Sequence, residues 1–150
     1  MLLENLAEGE TYGAELSANW QMTDWWRWRG TYTFLRAQLH AKPGSNDANA
    51  EQDEGTSPHH QFSIQSALDL PWHLQLDGLL RYVDQVSDAG APSYLSLDLR
   101  VGWQPLKNLE ISVTGQNLLD DRHPEFAPTV IPTQRTEVQR GIYGKLTFRF

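Results

Sequence analysis

Seven stretches of the chain alternate apolar and polar residues with a period of two, and this alternation restricts the possible folds more than any other feature. The last stretch, GIYGKLTFRF, places Ile142, Leu146, Phe148 and Phe150 on one parity and continues to the final residue. A period of two is typical of a β-strand with one apolar and one polar face. Chain ends usually fray and carry polar residues, so we expect this strand to be paired along its whole length.

The alternation predicts an all-β fold, an antiparallel meander of about seven strands. The expected bounds are about 11–21, 26–40, 60–70, 72–84, 93–104, 108–118 and from about 136 to the end. Helical spacing of apolar residues is not sustained anywhere. The 8 prolines all fall between the predicted strands, as expected because proline removes a hydrogen-bond donor from a sheet. In the second strand the apolar parity changes at Leu35, which predicts either a β-bulge or the end of an apolar layer.

The connections between the predicted strands alternate in length. Short connections are expected at Met22–Trp25, at the Leu70–Pro71 corner and at Pro105–Asn108. Long connections are expected at Ala41–His59, Gln85–Pro92 and Asn117–Arg135. Short turns on one side and long loops on the other are typical of transmembrane-type strands in an outer-membrane barrel.

The 6 tryptophans all lie close to a short connection. They are Trp20, Trp25, Trp26, Trp28, Trp72 and Trp103. Tryptophans that only filled a soluble core would be spread along the strands. Their position at one end therefore predicts an aromatic girdle at a membrane–water boundary.

Charge and composition narrow the class of protein. The net charge of −7, with 12 basic residues scattered among 19 acidic ones, argues against a nucleic-acid partner. The absence of cysteine excludes disulfides and thiolate metal sites. A mean hydropathy of −0.54 is that of a soluble protein, but transmembrane β-barrels have similar averages because their lumen-facing residues are polar. One parity carries most of the strand charges, namely Glu15, Arg27, Arg29, Asp77, Arg81, Asp98, Arg100, Glu137, Lys145 and Arg149.

Two segments carry a resemblance to a known family. Residues 115–126, GQNLLDDRHPEF, resemble the segment that ends the penultimate strand region of TonB-dependent outer-membrane receptors, and the last strand resembles that family's C-terminal strand. The positions that carry the first likeness are Gly115, Gln116, Asn117, Asp120, Asp121, Arg122, His123 and Pro124. Further likeness lies in YGAELSANWQ at 12–21, SPHHQFSIQSALDLP at 57–71 and RYVDQV at 81–86.

This resemblance implies a 22-stranded bacterial outer-membrane barrel that encloses a plug domain and imports scarce substrates, driven through TonB. The substrate class it implies is a ferric siderophore, with haem or cobalamin as alternatives. Residues 1–150 would form the C-terminal part of the barrel, without the plug domain and the earlier strands, and would not transport alone. The implied partners are outer-membrane lipid, the plug domain, TonB and the barrel-assembly machinery, which would read Ile142, Leu146, Phe148 and Phe150.

Two other classes of function are weighed against this one. A soluble β-sandwich could use its tryptophans to stack on carbohydrate. A hydrolase or metal site could use Asp120, Asp121 and His123, although adjacent aspartates before Arg and Pro more often form a turn. His59 and His60 are neighbours and point to opposite faces of a strand, so they cannot share a metal. The sequence contains no nucleophile–base motif, and we expect no catalytic residue, cofactor or metal.

Overall fold

The computed structural model describes residues 7–43, 55–87, 90–125 and 136–150, and most of these residues lie in one antiparallel sheet. The strands are β1 (Ala7–Thr23), β2 (Trp26–Ala41), β3 (His60–Leu70), β4 (Leu74–Val83), β5 (Tyr94–Leu106), β6 (Leu109–Gln116), β7 (Arg122–His123), β8 (Val138–Gln139) and β9 (Gly141–Phe148). The sheet has the order β1-β2-β3-β4-β5-β6-β9, and β7 and β8 form a separate two-stranded ladder. The predicted all-β meander is confirmed.

The register places the apolar parity of every long strand on one face, which we call the apolar face. One cross-strand row runs from Ala18 through Gly30, Ile64 and Leu80 to Leu97. A shift of one residue in any pair would move a whole strand's apolar residues to the other side. The charged parity consequently lies together on the opposite side, the polar face.

The sheet is a single layer with almost no interior. Among the described residues, Val86 and Ala91 are the buried hydrophobic ones. The accessible surface is 11239 Å², whereas a compact protein of 17.1 kDa would expose about 7,800 Å². A β-sandwich needs two large sheets packed face to face, so the architecture does not favour the carbohydrate-binding alternative.

The change of parity in β2 is not a bulge. The register between β1 and β2 is continuous through Leu35, which is paired with Gly13, and Leu39 is paired with Gly9. These leucines lie on the polar face, beyond the end of the apolar layer. A Cβ on Gly13 would lie 2.5 Å from the carbonyl oxygen of Phe34, so this close approach of the backbones requires glycine.

Two details of the short connections differ from the sequence prediction. Trp72 lies not in a strand but in a 3-10 turn over Pro71–His73, where it has a φ of 61°. Pro105 lies inside β5 and not between strands, at a register shift between Trp103 and Leu106. Proline is tolerated there because a bulge leaves one residue outside the hydrogen-bond ladder.

The bounds of the first and last strands also differ from those expected. The first strand begins at Ala7, about four residues earlier than predicted. The region from 136 divides into β8 and β9, so Glu137 lies outside the main sheet. The described residues contain no helix that is both long and apolar enough to cross a membrane.

Candidate functional site

All six tryptophans lie at the short-connection end of the sheet. Trp20 and Trp28 are cross-strand partners on β1 and β2. Trp25 stacks on Trp26, with ring centroids 6.1 Å apart and planes at 12°. The Trp26 indole N–H donates a hydrogen bond of 2.9 Å to the Ser66 hydroxyl, which fixes the ring against β3.

The other two tryptophans continue this group across the sheet. Trp103 pairs with Leu74 between β5 and β4. Trp72 projects from the turn with 82% of its surface exposed. The group therefore extends from β1 to β5 along one end, which we call the tryptophan row.

A second row of aromatic side chains lies toward the long-connection end of the apolar face, and sequence analysis missed it. The row consists of Tyr12, Tyr32, Phe34, Phe62 and Tyr82, with His60 among them. Phe62 stacks on Tyr82 at 5.9 Å, and the Tyr32 hydroxyl lies 2.9 Å from Nδ1 of His60. The sequence contained the signal for this row, because these aromatic residues lie toward the strand ends that are opposite to the tryptophans.

On β1 the two rows are separated by somewhat less than the height of an apolar membrane band, whereas on β2 Tyr32 follows Trp28 by only four residues. Tyr12 precedes Trp20 by eight residues on β1, which is about 26 Å of extended chain. With the tilt of about 35–45° that is usual for barrel strands, this length spans about 20 Å along a membrane normal. The apolar band of outer-membrane barrels is about 25 Å tall, with aromatic rings at both edges.

The C-terminal strand continues the apolar face at its open edge. Leu146 pairs with Ile111, and Phe148 with Leu109. The ladder extends past β9, because the Arg149 amide N–H donates to the Asn108 carbonyl oxygen at 2.9 Å. The side chains that were predicted as an assembly signal, Ile142, Leu146, Phe148 and Phe150, are all exposed.

The polar face carries a chain of ion pairs and hydrogen bonds near the short connections. Arg27 donates to Asp69 at 2.7 Å, and Gln75 donates to Asp69 at 3.4 Å. Arg100 donates to Gln75 at 3.4 Å, which links β3 and β4 to β5. We call this chain, with the ion pairs of Arg100, the polar belt.

Arg100 is the centre of the polar belt. Its Nη1 donates to Asp77 at 2.7 Å, its Nη2 donates to Glu110, and Arg149 lies 3.9 Å from the other oxygen of Glu110. The guanidinium lies over Gly102, where a Cβ would be 2.8 Å from Nη2. Charges that compensate one another in this way can face a lumen without requiring an external partner.

The family-like segment folds back over the polar face at the long-connection end. Asn117 has a φ of 52°, and its N–H donates to Asp98 at 2.9 Å. This left-handed conformation turns the chain away from β6, and asparagine tolerates it better than most residues. The residues after it form β7, which pairs with β8 through Arg122 and His123. We call this pair of short strands the lumen hairpin, after the proposal that the polar face lines a lumen.

Of the three residues that were considered for a metal or hydrolase site, the structure keeps Asp120 near His123 but pairs Asp121 with a different residue. Asp121 pairs with Arg140 at 3.0 Å on the other side of the lumen hairpin. Asp120 lies 3.8 Å from Nδ1 of His123, which is only 4% exposed. Among the described residues, no three His, Cys, Asp or Glu side chains are grouped so that they could hold a metal ion.

Comparison with known proteins gives two findings. Residues 1–118 match the family model described as TonB dependent receptor-like, beta-barrel. The match ends before most of the family-like segment and before the last strand, so the roles predicted for those residues remain predictions.

Solved structures of similar fold cover nearly the whole chain. The ferric-catecholate import receptor Fiu from E. coli K12 is 18% identical, with a TM-score of 0.72, over 93% of this chain and 21% of that one. The ferric yersiniabactin uptake receptor FyuA from Yersinia pestis is 20% identical, with a TM-score of 0.64, over 97% and 24%. The copper transporter OprC is 14% identical, with a TM-score of 0.67, over 95% and 24%. The chain therefore spans about a fifth to a quarter of these proteins.

Proposed function

Because the chain belongs to the TonB-dependent receptor β-barrel family, we propose that it forms part of the wall of a bacterial outer-membrane receptor that imports a scarce substrate. Proteins of this family are receptors and transporters and not enzymes. The observation that carries the proposal is the division of one seven-stranded layer into a continuous apolar face and an ion-paired polar face. The apolar face would contact outer-membrane lipid, and the polar face would line the lumen.

The aromatic rows support this orientation. The tryptophan row would lie at the boundary next to the short turns, and the second row at the boundary next to the long loops. Both would use amphipathic rings at the level of the lipid headgroups. The spacing of about 20 Å fits a tilted barrel strand crossing an outer membrane.

We propose a ferric siderophore as the substrate class, with haem or cobalamin as alternatives. Fiu is a ferric-catecholate import receptor and FyuA a ferric yersiniabactin uptake receptor, whereas OprC is a copper transporter. The partners in the complete receptor would be a plug domain in the lumen and TonB. Its assembly would involve the barrel-assembly machinery acting on Ile142, Leu146, Phe148 and Phe150.

Depth-dependent fluorescence quenching tests the membrane assignment. The chain would be reconstituted in lipid nanodiscs whose acyl chains carry bromine at defined depths. We expect the tryptophans to be quenched most strongly near the headgroups. Moving a tryptophan by the pair of substitutions Trp20→Leu and Leu16→Trp should shift the strongest quenching toward the bilayer centre. Equal exposure of all six to an aqueous quencher would contradict the proposal.

Growth tests address the substrate class. A receptor that contains this chain would be expressed in an iron-starved strain lacking its own siderophore receptors, with a ferric siderophore or haem supplied in turn, and in a cobalamin-requiring strain lacking its own cobalamin receptor. We expect growth on a ferric siderophore, and its loss when TonB is removed. Growth on haem alone would assign the substrate to the alternative class.

A further inference from the structure

The side-chain carboxylate of Glu125 occupies a small polar site on the polar face of the sheet. Its Oε1 accepts a hydrogen bond of 3.2 Å from Nη2 of Arg81 on β4. The same oxygen lies 3.3 Å from Nε2 of His123 on the lumen hairpin. A carboxylate is thus held between a guanidinium and an imidazole, which are common partners for an anionic group.

An aromatic ring lies beside these two groups. Tyr94, the first residue of β5, stacks on His123 with ring centroids 4.1 Å apart and planes at 19°. The Arg81 guanidinium carbon is 5.8 Å from the centre of the same ring. Tyr94 therefore orients both groups, by stacking on one and by a cation–π contact with the other.

Two polar side-chain atoms in and beside the lumen hairpin are buried but form no hydrogen bond among the described residues. His123 is 4% exposed and Asn117 is 3% exposed. Nδ1 of His123 and Oδ1 of Asn117 are both buried without a hydrogen-bond partner among the described residues. Buried polar atoms without partners destabilise the arrangement that buries them. The contact of Glu125 with Arg81 offsets part of this cost, together with the stacking of His123 on Tyr94 and the hydrogen bond from the Asn117 N–H to Asp98.

The ion pair is also accessible from the polar face. The side chains of Arg81 and Glu125 are 45% and 34% exposed. An anionic group approaching along the polar face can therefore reach Arg81 and compete with Glu125.

We propose that Arg81, oriented by Tyr94, is a carboxylate-binding site on the polar face, and that Glu125, held beside it by His123, is its built-in occupant. Glu125 acts as an autoinhibitory contact that holds the lumen hairpin against the wall. An external carboxylate that takes its place on Arg81 releases the hairpin from β4. The inference rests on the proposed function in one respect, namely that the polar face lines a lumen open to solutes.

Citrate titration in detergent micelles tests this site. The readout is the NMR signal of the His123 imidazole, because the stacked Tyr94 ring shifts it by its ring current. The chain has 5 histidines, and the His123 signal is assigned by its loss in His123→Gln. We expect citrate to move this signal toward the value of an unstacked imidazole, while far-UV circular dichroism of the sheet stays unchanged.

Two substitutions separate the occupant from the site. Glu125→Gln removes the competing charge, so citrate should bind about tenfold more tightly than to the parent chain. Arg81→Gln should abolish citrate binding, and Arg81→Lys should retain part of it. Asp121→Asn is the matched control: it removes one negative charge from the same segment, and its ion-pair partner is Arg140 and not Arg81. This control should bind citrate like the parent.

Two outcomes would overturn the inference. One is citrate affinity in Glu125→Gln no higher than in Asp121→Asn. The other is a His123 signal that citrate leaves unchanged in the parent and in Glu125→Gln, with Glu125→Ala giving the same result. The quenching experiment in nanodiscs is independent of this readout. A failure of the carboxylate site is therefore distinguishable from a failure of the membrane assignment.

Discussion

Arg100 shows how far single residues can be predicted from this sequence. Its parity places it on the charged side of β5, together with Asp98, and the structure has it on the polar face. Its partners were not predictable, because they depend on the stagger between strands. Asp77 is its direct cross-strand partner. Glu110 lies four residues along β6 from Thr114, the residue that is paired with Arg100. The ion pair with Glu110 forms only because the arginine side chain is long.

Gly102→Ala should disrupt the polar belt. The new Cβ would lie within 3.0 Å of three guanidinium atoms of Arg100, so the guanidinium must move away from Asp77 or Glu110. We expect a loss of at most about 1 kcal/mol in the free energy of unfolding, because the atoms that must move lie at the end of a flexible and partly exposed side chain, measured by urea titration in detergent. Gly144→Ala is the control, because its Cβ would meet its nearest neighbour at 3.8 Å. Equal stability of both variants would show that Arg100 can move without cost.

The turn between β3 and β4 contains two bulky residues with left-handed backbones. Trp72 has a φ of 61° and His73 a φ of 57°, a conformation that costs non-glycine residues about 1–2 kcal/mol each. We expect His73→Gly to raise the free energy of unfolding by about 1 kcal/mol. Trp72→Gly would relieve the same strain but would also remove a ring of the tryptophan row. Comparing the two variants in micelles and in nanodiscs should therefore show a gain for Trp72→Gly only in micelles.

At the scale of secondary-structure elements, the length of a strand determined whether it could be predicted from the sequence. The seven strands of the main sheet each repeat the alternation over eight residues or more, and all seven were found from the sequence. The lumen hairpin was not predicted, because its strands have two residues each and no period can be detected over that length. The burial of His123 follows from that hairpin and was missed for the same reason.

Removal of the C-terminal aromatic ring tests the role proposed for β9. Phe150 follows the strand and is fully exposed, so Phe150→Ala should change the stability of the folded sheet very little. If the assembly machinery reads this ring, the outer-membrane fraction of the expressed chain should fall several-fold. Tyr143→Ala, on the polar face of the same strand, is the control. A similar membrane fraction for the parent and both variants would exclude an assembly role for Phe150.

At the scale of the whole molecule, the dominant feature is an apolar surface without a protein layer against it. Exposed side chains of this face include Leu16, Leu95, Leu99, Val101, Ile111, Val113, Leu146 and Phe148. The sequence predicted this surface from the parity of the strands and left open whether a second sheet covers it. The structure has no second large sheet in its described residues.

The chain should therefore associate in plain buffer. Covering one Leu, Ile or Phe side chain contributes roughly 1.5–3 kcal/mol, and this face carries many of them in one patch. Sedimentation velocity should show large, polydisperse species in buffer and one protein–detergent species above the critical micelle concentration. Val113→Lys and Leu99→Lys together should reduce the association. A compact monomer of the parent chain without detergent would contradict the membrane assignment.

The direction of the two edge strands limits what can complete this wall. β1 begins at the long-connection end and finishes at a short turn, and β9 runs the same way. Two copies standing the same way up in a membrane would therefore meet edge to edge as parallel neighbours, whereas every ladder in the described sheet is antiparallel. Antiparallel closure needs an odd number of intervening strands, so a ring made only of such seven-stranded walls would have a parallel seam at every junction, and an odd number of further strands is needed to complete an antiparallel barrel.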